Sequence, residues 1–191
     1  MKPYVLEVFK NLSPVLHNKV DNFRSSTPDI NGKIRTPEEE AKHLEKYCSD
    51  RDIKKWILVF EGEDLIGMTA VYGRPILYKA KPISLGGIGK VRVREDRRKK
   101  GLANIMMQET MKQLTLMKFD IAFLSTNLDS FLADYYKRYG FLPLGKSYAY
   151  SGISGKEYSE NNGMIAPIGS ARILQMILDG KEPLNIGRGN W

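Results

Sequence analysis

Arg98-Lys99-Lys100-Gly101-Leu102-Ala103 joins cations, a glycine and a small residue in one short run, and that combination suits a bound pyrophosphate. Just upstream, Ile88-Gly89-Lys90-Val91-Arg92-Val93 has the alternation of a half-buried strand. Downstream, Leu102, Ile105, Met106, Leu114 and Met117 follow a helical period with apolar residues on one side. A strand that passes through a basic turn into a helix N-terminus presents unpaired backbone N–H groups at a positive dipole end. Gly101 lets the backbone approach phosphate with no β-carbon in the way, and Ala103 keeps the first helical turn small. Arg97 adds to the local charge.

Other side chains with chemical potential are scattered. Tyr135, Tyr136 and Tyr139 crowd one predicted helix, where a phenol can donate a proton or simply fill core. Glu61, Glu63 and Asp64 fall in one predicted hairpin turn and read as solvated charge. Glu95 and Asp96 flank the basic turn and are expected to face water, since they would repel a phosphate. His17 and His43 are isolated histidines on predicted helices and read as packing or surface residues. Together with a single cysteine they give no ligand spacing, so no metal is expected. Trp191 follows a Gly-rich polar stretch, and so large a ring is expected to pack against the fold.

The elements that would position these groups can be followed along the chain. Tyr4 to Phe9 reads as a first strand. Ser13-Pro14 opens a helix to about Arg24, and a polar loop with Pro28, Asn31 and Gly32 follows. Thr36-Pro37-Glu38-Glu39 places Glu39 at the capping-box position of a second helix, reaching about Tyr47. Trp56 to Phe60 and Leu65 to Tyr72 read as a hairpin turning at Glu61–Asp64. A further strand pair, Ile76–Tyr78 and Ile83–Leu85, is expected around Lys79–Pro82.

After the strand ending at Arg94 come a helix from Gly101 to Met117, a strand near Asp120–Ser125, a helix from about Asp129 to Tyr139 and a strand from Phe141. Gly140 is the residue that stops the second of those helices. Antiparallel strands followed by alternating strands and helices give an α/β (α+β) fold with a central mixed sheet and helices on both faces. The pattern weakens from Ser151, leaving a short strand at Gly163–Ile168 and a helix opened by Ser170.

At 191 residues the chain fits one domain, residues 1–191, with a core at about 54–148 and a C-terminal extension at 151–191. Cys48 is the only cysteine, so no internal disulfide is expected. Lys2, Glu7 and Lys10 interrupt any apolar leader, and no run of about 18 apolar residues occurs. The expected location is cytoplasmic, with no membrane partner. The net charge of +8 raises the question of nucleic acid. Much of that excess sits at Arg92, Arg94 and Arg97 to Lys100, where a phosphate-rich small molecule accounts for it, and no nucleic-acid motif is present.

The spacing R-x-x-G-x-A at Arg98, Gly101 and Ala103 resembles the acyl-coenzyme A signature of the GNAT acetyltransferases. Tyr136-x-x-x-Gly140-Phe141, one strand and one helix later, resembles that family's second motif. The resemblance implies the GNAT acyl-CoA N-acyltransferase fold. It also implies transfer of acetyl from acetyl-CoA to a primary amine of a small molecule, with no metal. Val91, Arg92, Val93, Arg98, Lys99, Lys100, Gly101, Leu102, Ala103, Asn127 and Tyr136 are the implied coenzyme A contacts. Backbone N–H groups of the Val91–Val93 strand would face the reacting carbonyl. Tyr136 matches the family's usual acid for the departing thiolate, with Tyr135 the alternative if the register is shifted by one.

Within the family, residues Ala70 to Leu144 are similar to the aminoglycoside 2′-N-acetyltransferases at Val71, Arg74, Tyr78, Arg94-Glu95-Asp96, Ser125 and Tyr136. The hairpin between Val71 and Gly86 has the same length, and the chain ends on tryptophan as they do. That likeness implies acceptor contacts from Glu38, Glu39, Glu160 and Trp191. It also suggests that an α-carboxylate on Trp191 binds the acceptor or takes its proton, replacing a glutamate that stands here as Gly89. Alternatives stay open: a peptide or another amine as acceptor, or a non-catalytic acyl-CoA-binding module on the same fold. The expected partners are coenzyme A and a small amine, with a homodimer left open.

Overall fold

The computed structural model describes residues 4–29, 32–47 and 50–191. The readings made at Lys2, Asn31 and Cys48 therefore lie outside the described residues. Strand β1 (Tyr4–Phe9) leads into helix α1 (Pro14–Ser26). There Ser13 accepts the Leu16 amide at 3.3 Å and Pro14 fills the first turn. Helix α2 (Pro37–Lys46) starts with the expected capping box: Thr36 Oγ1 accepts from the Glu39 amide and the Glu39 carboxylate accepts from the Thr36 amide.

Strands β2 (Ile53–Glu61), β3 (Asp64–Tyr78) and β4 (Lys81–Val93) are long. The expected second strand pair is instead the far half of one β3–β4 hairpin, paired from Gly67↔Val93 to Tyr78↔Lys81. It turns at Lys79 and Ala80, whose φ values of 50° and 59° are those of a two-residue hairpin turn. Gly73 and Pro75 look like a break in the sequence, yet Gly73↔Gly86 and Pro75↔Ser84 keep register. Cross-strand pairing overrides local propensity here.

Helix α3 (Leu102–Leu116), β5 (Ile121–Ser125) and α4 (Phe131–Lys137) follow. Gly140, at φ 85°, ends the α4 region, and the Phe141 amide closes back on the Tyr136 carbonyl at 3.3 Å. The strand expected from Phe141 is only β6 (Leu142–Pro143). Three strands that the weakening pattern hid are β7 (Tyr148–Ser151), β8 (Glu157–Glu160) and β10 (Leu184–Arg188), which flank β9 (Gly163–Pro167) and α5 (Ala171–Asp179).

The main sheet has the order β1-β2-β3-β4-β5-β9-β6; the β4–β5 pair is parallel and the other pairs are antiparallel. A small second sheet has the order β10-β7-β8. One face of the main sheet packs on α1, α5 and the small sheet through Phe23, Trp56, Tyr72, Tyr148, Ile173 and Ile186. The other face packs on α3 and α4 through Ile57, Val71, Met106, Leu114 and Tyr136. This is the mixed sheet with helices on both faces that the sequence predicts. Among the described residues no helix is long and apolar enough to cross a membrane.

Candidate active site at the fork of two parallel strands

Strands β4 and β5 pair only at Leu85↔Ile121, Gly86↔Ala122 and Gly87↔Phe123. Beyond Gly87 they part. The cause lies in β4: Lys90 and Val91 stand opposite Thr69 alone, between the pairs Ala70↔Gly89 and Met68↔Arg92. Lys90 takes φ 54° at this bulge. A bulge bends its strand and adds local twist, so β4 leaves β5 and a fork opens. The edges of β4 from Ile88 and of β5 from Leu124 are thereby available to an added extended chain. A cleft of about 960 Å³ fills the fork, lined by Ile88, Val91 and Val93 on one side and by Leu124, Ser125 and Thr126 on the other.

At one end of the cleft lies the basic turn. Gly101 caps α3 with φ 81° and ψ −4°, the left-handed region that side chains avoid. Among the described residues, none of the amides of Lys99, Lys100, Gly101, Leu102 and Ala103 donates to a group of the chain. Five free donors at a helix N-terminus form an anion cradle.

The cations of this segment mostly serve other ends. Arg98 donates to the Val93 carbonyl at 3.2 Å and to those of Pro28 and Asp29 at 2.6 and 3.0 Å. Arg92 donates to the carbonyls of Arg24 and Thr27. Lys100 reaches the Asp96 carbonyl at 3.0 Å. Arg97 bonds Glu61 at 2.6 Å and Asp96 at 2.7 Å. Glu61 is thus not the free solvated charge the sequence suggested. Exposed Lys99 is left facing the cleft. These side chains thus mostly wall the turn, and its unpaired amides are what it offers an anion.

Tyr136 lines the cleft from α4, with its ring packed on Tyr135 and Phe141. Its hydroxyl bonds no group among the described residues, and burial pushes its pKa up to about 12. It is therefore a protonated phenol at neutral pH. Tyr135 also lines the cleft, but its hydroxyl is buried. Asn127 lies outside the cleft: its side-chain oxygen accepts the Asp129 amide at 3.0 Å and its carbonyl accepts from Ser130, the ordinary turn role.

The other face of β4 carries the feature least legible in the sequence. Trp191, 6% exposed, stacks on Tyr72 with ring centroids 5.4 Å apart, and the Arg74 guanidinium lies 4.2 Å from its ring centroid. Ser125 Oγ donates to the Trp191 carbonyl oxygen at 2.9 Å. A β-carbon on residue 89 would lie 3.5 Å from the Trp191 carbonyl carbon and 2.9 Å from the Tyr72 ring. The main-chain carbonyl of Trp191 thus stands beside Gly89. A β-carbon on Gly87 would overlap the indole itself.

The segment before Trp191 is tied down as well. Arg74 donates to the Ile186 and Gly189 carbonyls at 2.7 and 3.0 Å. Asn190, 2% exposed, donates through its amide to the Lys46 carbonyl and through Nδ2 to the Tyr148 hydroxyl, both at 2.9 Å.

The carboxylates expected to meet the acceptor are engaged elsewhere. Glu39 caps α2 and pairs with Lys33 at 2.5 Å. Glu38 is exposed on the first turn of that helix. Glu160 accepts from Lys46, Tyr148 and Tyr150 at 2.8 to 2.9 Å and holds the small sheet together. None of the three lines the cleft. His43 does line it, stacked on Tyr47 with centroids 4.2 Å apart. Burial, and then the charge of Arg35, bring its pKa down to about 4, so it is neutral at pH 7.

A forked parallel pair, an amide cradle at the following helix and a buried phenol define a class of acyl-transfer enzyme. The model of the acetyltransferase (GNAT) domain matches residues 16–144, and the chain belongs to that family. Comparison with curated proteins returns no match. Solved structures of similar fold include YhbS of Escherichia coli in complex with CoA, at 15% identity and TM-score 0.63 over 97% of this chain and 89% of that one. A GNAT family acetyltransferase from Brucella melitensis in complex with acetyl-CoA is 17% identical at TM-score 0.53, over 72% and 83% of the two chains. The chain spans about a third of two longer structures, a conserved protein from Enterococcus faecalis described as a probable N-acyltransferase (34%) and a GCN5-related N-acetyltransferase from Kribbella flavida (35%).

Proposed function

We propose that this protein transfers the acetyl group of acetyl-CoA to a primary amine of a small molecule. The observation that carries the reading is the fork after Gly87 leading straight to the unpaired amides of Lys99 to Ala103. The pantetheine arm of the co-substrate fits the fork as an added strand, and its diphosphate fits the amide cradle. Bound there, acetyl-CoA supplies an activated acetyl carbon. The chain holds that carbon in line with the amine, and positioning is the largest contribution it makes.

The buried, protonated phenol of Tyr136 on the cleft wall supports it as the acid that gives a proton to the leaving sulfur. On the opposite side, the Trp191 carbonyl and Ser125 align the amine as acceptors, and the amine's proton leaves to water at that end. The aminoglycoside reading needs an acidic cleft for a polycation. Glu38, Glu39 and Glu160 do not supply one, so we favour an amine of another kind. Thiol release from acetyl-CoA across an amine panel tests the function. Amine-dependent release in the unmodified protein, strongly slowed in Tyr136→Phe, is expected; acetyl-CoA binding without release for any amine would favour a non-catalytic module.

A further inference from the structure

The acceptor end of the cleft is cationic. Arg24 from α1, Arg35 from the loop before α2, and Lys90 and Arg92 from the β4 bulge all line it. The Arg24, Arg35 and Lys90 side chains are 21%, 33% and 13% exposed. The carboxylates against them are fewer. Glu40 is shared between Arg24 at 3.5 Å and Arg35 at 3.2 Å. Asp50, itself 48% exposed, pairs with Lys90 at 3.0 Å. Asp21 stands 3.9 Å from Arg24 and is 64% exposed. Arg92 has carbonyl partners on Arg24 and Thr27 and also feels the charges of Asp29 and Glu40.

Among the described residues, four partly buried cations meet three carboxylates within 4 Å, one of them 64% exposed, which leaves a surplus of positive charge. The groups also feel one another. Arg35, Arg24 and Lys90 all act to lower the pKa of His43, and Arg24 acts to lower that of Lys90. Like charges gathered in a cleft cost free energy unless something anionic meets them. Arg24, Arg35 and Lys90 act on His43, and Arg24 also acts on Tyr72, whose ring stacks on Trp191. The unpaired amides of Lys99 to Ala103, which suit the acetyl-CoA diphosphate, stand at the start of α3.

Building on the acetyltransferase reading, we propose that the acceptor is a small amine that also carries an anionic oxygen group, a carboxylate or a phosphate. That group is held by Arg24, Arg35 and Lys90 while the amine reaches the Trp191 carbonyl. Recognition by a guanidinium pair is directional as well as electrostatic, so it selects among amines by the distance from anion to nitrogen. A polycation would meet like charge here, which costs affinity.

The test uses matched amines: glycine against glycinamide, phosphoethanolamine against ethanolamine, and kanamycin as a polycation. With thiol release as the readout, the anionic member of at least one pair should have a KM at least ~10-fold below its neutral partner, a difference that shrinks with added salt. The favoured pair separates carboxylate from phosphate as the source. Arg35→Gln, with Arg24→Gln as a second variant should the first fold poorly, should erase the preference and leave the KM for acetyl-CoA unchanged.

A second arm needs no turnover: N-acetylglycine and N-acetylglycinamide, and the N-acetyl derivatives of phosphoethanolamine and ethanolamine, titrated into CoA-saturated protein. The anionic member of at least one pair should bind tighter in the unmodified protein and lose its advantage in Arg35→Gln. Equal binding within both pairs, a better neutral or polycationic acceptor, or a preference that survives both variants would overturn the proposal. Tighter anion binding without thiol release from any amine would support the anion site and sink the acetyltransferase reading instead.

Discussion

Tyr136 carries the sharpest single-residue expectation. Its phenol is buried, protonated and unpaired among the described residues, so Tyr136→Phe removes only a proton and a hydroxyl. Turnover should fall by roughly 10²–10⁴-fold, the usual worth of a general acid, with coenzyme A affinity unchanged. Tyr135→Phe, whose hydroxyl is buried off the cleft surface, should have the smaller effect; the opposite ranking in steady-state kinetics would shift the assignment by one residue. His43 gives a different kind of test. Unfolded, it takes up a proton near pH 6.5; folded, not until about 4, because burial and Arg35 oppose the charge. Between those values the unfolded state binds more protons, so stability falls as pH drops through that window. His43→Gln should flatten that part of the Tm profile, and an identical slope would contradict a buried neutral imidazole.

At the scale of elements, two glycines decide whether the site assembles. Gly87 lies beneath the Trp191 ring, so Gly87→Ala must push the indole away. Overpacking of this kind costs roughly 1–3 kcal/mol. Thermal melts should show that loss and kinetics a raised acceptor KM; a variant with unchanged melting and KM would show that the docked tail has no such role. Gly101 sits at φ 81° with open space around it. Gly101→Asn tolerates the left-handed backbone while placing a side chain over the cradle, so the protein should stay folded and lose the acetyl-CoA-induced rise in Tm.

The local signals of these elements were legible in sequence: the Ser13 and Thr36 caps, the strand–turn–helix around Gly101, and Gly140 as a stop. What was not legible was tertiary. The β4 bulge depends on pairing with Thr69, β7 and β10 need each other, and Arg74 makes sense only once the Trp191 ring lies beneath it. The acceptor roles of Glu38, Glu39 and Glu160 rest on the family likeness alone, and Lys46, which bonds Glu160, stands 114 residues away in sequence.

For the molecule as a whole, part of the net charge of +8 gathers around one cleft, where Arg24, Arg35, Lys90, Arg92, Arg97, Arg98 and Lys99 are among the lining residues. A ligand that binds only the folded protein stabilises it by mass action, about 2.7 kcal/mol at a hundred times its Kd. Acetyl-CoA should therefore raise Tm in a concentration-dependent way, and a flat response at millimolar concentration would contradict the cradle. The most direct test of the central claim is product detection: acetyl-CoA and a mixed panel of primary amines, followed by mass spectrometry for an amine heavier by one acetyl group. Enzyme-dependent acetylation matched mole for mole by released coenzyme A, and slowed at least ~100-fold in Tyr136→Phe, is the predicted result. No acetylated amine from the unmodified protein, although acetyl-CoA binds, would contradict it.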